Sequence, residues 1–272
     1  MENIIEVNNL AYKYGDGTKA LADVSFAVEK NTRVAILGPN GAGKSTLLFH
    51  LNALYLAQQG QVKIKSQVVN DENKEWVRSQ VGLVMQDPDD QVFSTTVYED
   101  VAFGLLNFGW SDEEKIKERI EWALSSVDIL DLQDASPHNL SYGQKKRVAI
   151  AGILAIEPEI IIFDEPLSYL DPQGKADFLG ILDRLHKTEK TLLVVTHDMD
   201  FAAEWADRVI VIEEGRVLAE GGRELLANLE LIEQANLDLP TITKLFQRLE
   251  LTELSSLPQT IEEAVTVLKE RL

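Results

Sequence analysis

Residues 33–46 run Arg33-Val34-Ala35-Ile36-Leu37-Gly38-Pro39-Asn40-Gly41-Ala42-Gly43-Lys44-Ser45-Thr46, and the architecture of the chain follows from them. Arg33 to Leu37 is an apolar run of buried-strand type, and a helix is expected from Ser45 through about Leu54. Between them, Gly38 to Ser45 fits G-x-x-x-x-G-K-S in the strand–loop–helix context that the pattern requires. Glycines there let backbone N–H groups turn toward a phosphate, and the helix N-terminus adds its partial positive charge. The spacing places Lys44 at the β- and γ-phosphates of a nucleoside triphosphate and the Ser45 hydroxyl on Mg²⁺. Gly38, Pro39, Asn40, Gly41, Ala42, Gly43 and Thr46 complete the cradle. A chance match in a chain this long has a probability on the order of one per cent.

Outward from this loop, the chain is long enough for one large core and an appended piece: it has 272 residues, 45% hydrophobic. There is no cysteine, which excludes disulfides and thiolate metal sites and suits a reducing cytosol. The start, Met1-Glu2-Asn3-Ile4-Ile5, has no basic segment and no long apolar core, so it does not read as a signal peptide. The longest apolar stretch, Val148 to Ile156, stops at Glu157-Pro158-Glu159, well short of a membrane span. Any link to a membrane is therefore expected to run through another protein. The net charge of −19 disfavours direct binding to nucleic acid or anionic lipid. The basic run Lys145-Lys146-Arg147 reads as a solvated helix face.

Ile4 to Phe26 reads as short strands around the turn Tyr14-Gly15-Asp16-Gly17. Further strands are expected at Val62 to Ile64 and Val81 to Met85. From about Gln86 to Glu157 the pattern is helical, with Ser111-Asp112-Glu113-Glu114 as a capping box. Strands return at Ile160 to Phe163 and Leu192 to Val195, separated by a helix over Lys175 to Leu185, and a last pair is expected at Val209 to Glu213 and Arg216 to Glu220. Apolar strands alternating with helices imply a mainly parallel sheet covered on both faces. After Gly221-Gly222 the chain is helical, with Thr260-Ile261-Glu262-Glu263 capping the last helix. Two units are therefore expected, 1–221 and a helical extension over 222–272.

Two further groups carry chemistry. Ile160 to Glu165 is an apolar strand ending in adjacent acids; Asp164 would hold Mg²⁺ and Glu165 would act as general base on a water attacking the γ-phosphate. His197 closes another buried strand, on the ligand side of such a sheet, where it could bind the γ-phosphate and hold that water. His50, His138 and His186 have no such placement.

With Leu140-Ser141-Tyr142-Gly143-Gln144 ahead of an apparent helix, these elements resemble the nucleotide-binding subunit of ATP-binding cassette (ABC) proteins, over about Ile4 to Gly221. The resemblance implies an α/β P-loop NTPase fold with an N-terminal antiparallel β subdomain and a helical subdomain at about 87–157. It implies that Tyr14 stacks on adenine and that Gln86 senses Mg²⁺ and the membrane partner. Ser141 to Gln144 would be the signature motif, Ser168-Tyr169-Leu170-Asp171 the loop linking protomers, and His197 the switch histidine. It also implies a dimer, with a second copy or a related ATPase, in which each ATP lies between the phosphate loop of one subunit and the signature helix of the other. Ser141, Gly143, Gln144 and Asp171 would then belong to the partner's nucleotide. Two residues depart from the family pattern: Tyr142 stands for the usual glycine and reads as a surface-packing tyrosine, and Tyr169 stands for a small residue.

The stretch Gln86-Asp87-Pro88-Asp89-Asp90-Gln91-Val92-Phe93, with Asp100 to Gly104, is similar to the ATPase subunit of energy-coupling factor (ECF) transporters, importers of vitamins and transition-metal ions. That implies ATP hydrolysis at the cytoplasmic face of the membrane. It also implies a transmembrane coupling subunit docked near Gln86–Phe93, with Asp89 and Asp90 meeting its arginine, and indirect contact with a solute-binding membrane subunit. Leu140 to Arg147 and Ala235-Asn236-Leu237-Asp238-Leu239-Pro240 resemble the cobalt and nickel branch. In that family the C-terminal extension helps hold the dimer together. The alternative is a soluble ABC ATPase acting on nucleic acid or ribosomes, but such proteins carry two cassettes or a long coiled coil, and Lys44 to Asp164 holds no sustained heptads. A GTPase would need Asn-Lys-x-Asp, and Asn73-Lys74-Glu75-Trp76 lacks the acid.

Overall fold

Two sheets organise the computed structural model, which describes residues 2–249 and 257–271. The chain opens with two 11-residue strands, β1 (Asn3–Lys13) and β2 (Lys19–Glu29). Then come β3 (Arg33–Leu37), α1 (Lys44–Leu51), β4 (Gln59–Ile64), the short β5 (Gln67–Val68), α2 (Lys74–Gln80) and β6 (Val81–Val84). The helices α3 (Val97–Asn107), α4 (Glu113–Ser126) and α5 (Tyr142–Ile156) precede β7 (Ile160–Asp164). They are followed by α6 (Pro172–Lys187), β8 (Thr191–Thr196), α7 (Met199–Trp205), β9 (Arg208–Glu213) and β10 (Arg216–Gly221). The described chain closes with α8 (Leu229–Gln234), α9 (Thr241–Arg248) and α10 (Ile261–Arg271).

The larger sheet has the order β10-β9-β3-β8-β7-β6 and is parallel except at β10. Its parallel strands are buried on both faces, which is why they read as nearly unbroken apolar runs, while the antiparallel edge strand β10 is partly exposed. Side chains alternate between the faces with a period of two. Val34, Ile36, Ile160, Ile162, Leu193 and Val195 join a cluster with α1 and the antiparallel sheet β2-β1-β4-β5. Ala35, Leu37, Ile161, Phe163, Leu192 and Val194 join a second cluster. That cluster runs without a break into α3, α4 and α5 and takes in Leu226, Leu231, Ile232 and Ala235 from the start of the C-terminal segment.

Local chemistry sets the element ends. α1 stops at Leu51, short of the expected Leu54, because Asn52 turns its amide onto the Val81 carbonyl and Ala53 takes a left-handed φ of 56°. The cap of α4 is Asp112, whose carboxylate accepts the Lys115 N–H at 3.3 Å, rather than the expected Ser111; an anion at that end also favours the helix dipole. α6 starts earlier than the pattern suggested, with Asp171 as cap and Pro172 in its first turn, where a missing N–H costs nothing. At α10 the Thr260 hydroxyl accepts the Glu263 N–H at 3.3 Å, as expected of a cap, but the Glu263 carboxylate reaches the Gln259 N–H instead of the Thr260 one.

The reading of Lys145-Lys146-Arg147 as a solvated face is overturned. Lys146 is 2% exposed, Lys145 pairs with Asp89 at 2.5 Å, and Arg147 pairs with Asp177 at 2.5 Å while donating to the Val127 carbonyl. The run lies where α5 packs against the rest of the chain, so its charges are used internally. No helix among the described residues is long and apolar enough to cross a membrane.

Candidate active site

Gly43 helps to shape the loop between β3 and α1. Gly43 takes a φ of 98° as it enters α1, and an added Cβ would run into the Ala20 carbonyl. Only glycine meets both demands. Its neighbour Lys44 is buried, and the ammonium donates to the Gly38 carbonyl at 2.7 Å and the Pro39 carbonyl at 3.0 Å. Burial lowers the Lys44 pKa, opposed by the charges of Glu165 and Asp164. The cation is thus held in the loop by weak neutral acceptors, and an anion in the loop would be a stronger partner.

Parallel pairing brings the acids to this loop. β7 runs beside β8, which runs beside β3, so their C-terminal ends share one edge of the sheet. Asp164 ends β7 there, buried. Burial pushes its carboxyl above the ordinary carboxylate value; the Ser45 hydroxyl hydrogen-bonds it and pulls the other way, while the Glu165 charge adds to the rise. Glu165 adopts a left-handed φ of 43°, and its N–H donates to the Val195 carbonyl at 2.9 Å, which turns the side chain out of the strand direction into the cleft. Directly after β8, His197 Nδ1 donates to the Glu165 carboxylate at 3.0 Å. The His197 side chain is 65% exposed and the Glu165 carboxylate only 10%, so the histidine closes over the acid from the solvent side.

A cleft of about 480 Å³ gathers Tyr14, Asn40, Gly41, Gly43, Lys44, Ser45, Thr46, Gln86, Asp164, Glu165 and His197. Gly38, Pro39 and Ala42 belong to the loop that walls it. Tyr14 lies over the first turn of α1, its hydroxyl 2.7 Å from that of Thr46 and its ring edge-on to Tyr12 at 5.3 Å. Ser141, Gly143, Gln144 and Asp171 are elsewhere, lining a second cleft of about 420 Å³ between α5 and α6. One chain therefore does not bring the two sets together. Ser141 caps α5, accepting the Gln144 N–H at 3.3 Å while the Gln144 amide oxygen takes the Ser141 N–H at 2.9 Å. Asp171 caps α6 through the Gly174 N–H at 2.7 Å.

Several contacts escaped the sequence. Thr18, Lys19 and Ala20 also line the larger cleft, and none carries a motif that would announce it; Ser168 and Tyr169, read from the sequence as part of a protomer-linking loop, line it too. Tyr142 is half-buried rather than a surface residue, and its hydroxyl donates to the Gln86 carbonyl at 3.0 Å. Asp89, expected to await a partner's arginine, already has Lys145.

An anionic phosphate chain laid along Lys44 and the α1 N-terminus would reach the adjacent acids, which repel it unless a cation intervenes. The Ser45 hydroxyl, the Asp164 carboxylate and the Gln86 amide supply oxygen donors of the kind Mg²⁺ takes. Among the described residues no cluster of three or more His, Cys, Asp or Glu side chains is placed to hold a metal, so phosphate oxygens would have to complete such a site.

Comparison with known proteins agrees with this geometry. The family model described as "ABC transporter" matches residues 21–168. The energy-coupling factor transporter ATP-binding protein EcfA of Carboxydothermus hydrogenoformans is 49% identical over 269 residues, covering 99% of this chain and 98% of the relative. EcfA of Methanocaldococcus jannaschii is 45% identical over 247 residues, covering 90% of this chain and 88% of its own. Among solved structures, cbiO1 of Clostridium perfringens, described as part of the ABC transporter complex cbiONQ, superposes with a TM-score of 0.78 at 39% identity, covering 91% of this chain and 100% of that one. A dimeric ATP-binding cassette, MJ0796, in a post-hydrolysis state bound to ADP and Pi, gives a TM-score of 0.73 at 30% identity, covering 80% of this chain and 98% of that one.

Proposed function

The chain belongs to the ABC transporter family of ATPases, and from that premise we propose that it is the ATP-hydrolysing subunit of an importer of energy-coupling factor type. The observation that carries this reading is the 49% identity to EcfA, which extends over 99% of the chain and so includes the segments outside the cassette. The solute we assign is a transition-metal ion, cobalt or nickel, with a vitamin as the alternative. The resemblance of Leu140 to Arg147 and Ala235 to Pro240 to the cobalt and nickel branch supports the metal.

In this reading ATP lies on Gly38 to Thr46, and Tyr14 leaves Thr46 to stack on adenine. Lys44 exchanges the Gly38 and Pro39 carbonyls for the β- and γ-phosphates. Ser45, Asp164 and Gln86 would hold Mg²⁺, which would offset charge on the phosphates. Glu165, already hydrogen-bonded to His197, takes the proton of the attacking water. Ser141, Gly143 and Gln144 reach the γ-phosphate of a second subunit, because in their own chain they line a different cleft. Two nucleotides thus complete a head-to-tail dimer, and the Asp171 loop lies along its seam.

The docking surface for the transmembrane subunit is the loop Gln86–Phe93 with the adjoining end of α3. Phe93 is 59% exposed and meets Phe103 edge-on at 4.8 Å; Leu106 and Trp110 extend the apolar strip, and exposed Asp90 borders it. Such a strip on a chain of net charge −19 suits an apolar helix carrying a basic residue. The subunit then works at the cytoplasmic face of the membrane.

Affinity purification of the tagged chain from membranes tests this. The expected partners are hydrophobic transmembrane subunits, lost on Phe93→Asp together with Asp90→Lys while ATP binding persists. Recovery of DNA, RNA or ribosomes in place of membrane subunits would move the protein to the soluble class of ABC ATPases.

A further inference from the structure

Tyr142, at the first position of α5, touches three segments that the proposed cycle needs to move in concert. Its hydroxyl donates to the Gln86 carbonyl at 3.0 Å, in the loop assigned to the membrane partner. Its ring meets the Tyr169 ring edge-on at 5.7 Å, in the loop that runs from Glu165 to Asp171. On either side of it in the chain stand Ser141 and Gly143. Tyr169 holds a left-handed φ of 63° and is 82% exposed, so the aromatic contact with Tyr142 is a main constraint on its ring.

The tyrosine is itself braced. One helical turn on, Lys146 places its ammonium 5.5 Å from the centre of the Tyr142 ring, buried and without a hydrogen-bond partner among the described residues. Beside it, Lys145 pairs with Asp89 at 2.5 Å, a second tie between α5 and the same loop. The loop Gln86–Asp90 cannot shift away from α5 without breaking the phenol–carbonyl bond and the Lys145–Asp89 pair together.

We propose that Tyr142 is a positioning residue that transmits displacement of the Gln86 loop to the Ser141–Gly143 turn and, through Tyr169, to the loop following Glu165. This rests on the assignment of Ser141 and Gly143 to the γ-phosphate of the second subunit. A glycine at position 142 would leave only the Lys145–Asp89 pair of these two ties, one turn further along α5, whereas the tyrosine couples the loop directly to the Ser141–Gly143 turn. The step it serves is closure onto ATP bound in the other subunit, not capture of ATP on the chain's own phosphate loop.

The test uses Tyr142→Phe, which deletes only the hydroxyl and keeps the ring against Tyr169 and Lys146. Steady-state hydrolysis, equilibrium binding of MgATP and thermal unfolding are measured on the full chain. Loss of one neutral hydrogen bond in the closing step predicts a fall in kcat of about five- to tenfold. Affinity for MgATP should stay at the parent value, and the melting temperature should fall by no more than about 2–4 °C. An unchanged kcat overturns the proposal, as does a kcat loss matched by equal losses in affinity and melting temperature, which would mark a merely structural tyrosine. Ser141→Arg separates this outcome from failure of the underlying assignment. If that variant hydrolyses ATP like the parent, the signature reading falls; if it is inactive while Tyr142→Phe is normal, only the coupling role falls.

Discussion

Glu165→Gln is the sharpest perturbation of the proposed chemistry. The carboxylate is held at the cleft wall by a left-handed backbone and accepts from His197 Nδ1 at 3.0 Å. A glutamine amide oxygen can accept the same hydrogen bond, so packing and orientation survive and only basicity is lost. A positioned general base contributes about 100- to 10,000-fold, or roughly 3–5 kcal/mol of barrier, and that is the expected fall in kcat. ATP affinity should move the other way. Glu165 shares the cleft with Asp164, so neutralising one of two neighbouring acids removes repulsion against the phosphates. Phosphate release at saturating MgATP measures the first effect; equilibrium binding and gel filtration with ATP measure the second, with the variant expected to accumulate as a dimer. Hydrolysis within twofold of the parent rate would refute Glu165 as the base, and weakened ATP binding would refute the electrostatic argument.

Three other variants probe separate parts of the molecule. Tyr14→Ala should weaken ATP binding by about three- to tenfold, the worth of an aromatic stack, while leaving affinity for inorganic tripolyphosphate unchanged in a competition titration. Phe163→Ala empties a fully buried site that packs edge-on against Phe178 at 5.4 Å, and should cost about 3–5 kcal/mol in urea unfolding. For Lys146, burial pulls the pKa down from 10.5 to about 8, against the charges of Asp87, Glu165 and Asp164. The unfolded chain therefore binds more protons between these values, and stability rises with pH from about 8 to 10.5. Lys146→Met should flatten that rise and stabilise the chain at pH 7 by up to about 3 kcal/mol, read from urea midpoints across the pH range.

The phosphate loop and the acids at the end of β7 were legible because their signals are local. A strand, a glycine-rich loop and a helix lie within residues 33–51, and two buried parallel strands carry Asp164 and His197 to the same sheet edge. That Ser141, Gly143, Gln144 and Asp171 line a cleft apart from the phosphate loop fits the expectation, drawn from the resemblance, that they serve the partner's nucleotide. What stayed hidden depends on packing between remote segments. Tyr142 meets Gln86, and Lys145 meets Asp89, each across 56 residues of sequence, so charge and periodicity along α5 could not distinguish a paired lysine from a solvated one. The cap of α4 shows a smaller failure: Ser111 and Asp112 are adjacent and both competent, and only the backbone path chooses between them.

The continuous apolar cluster beneath α3, α4 and α5 bears on how freely the cassette can be rebuilt. Val101, Leu105, Ile120 and Leu124 share one interior with Phe163, Val194 and Phe178. Residues 87–157 share part of their core with the sheet, so the excised fragment would expose that packing face. The remaining halves would likewise be left with an open sheet face. Grafting this segment between relatives is therefore governed less by the loops at its ends than by side-chain volumes on the shared sheet. Substitutions there should appear in compensating sets spanning both sides of the join, which makes the helical insertion an inherited part of the cassette rather than an exchangeable module.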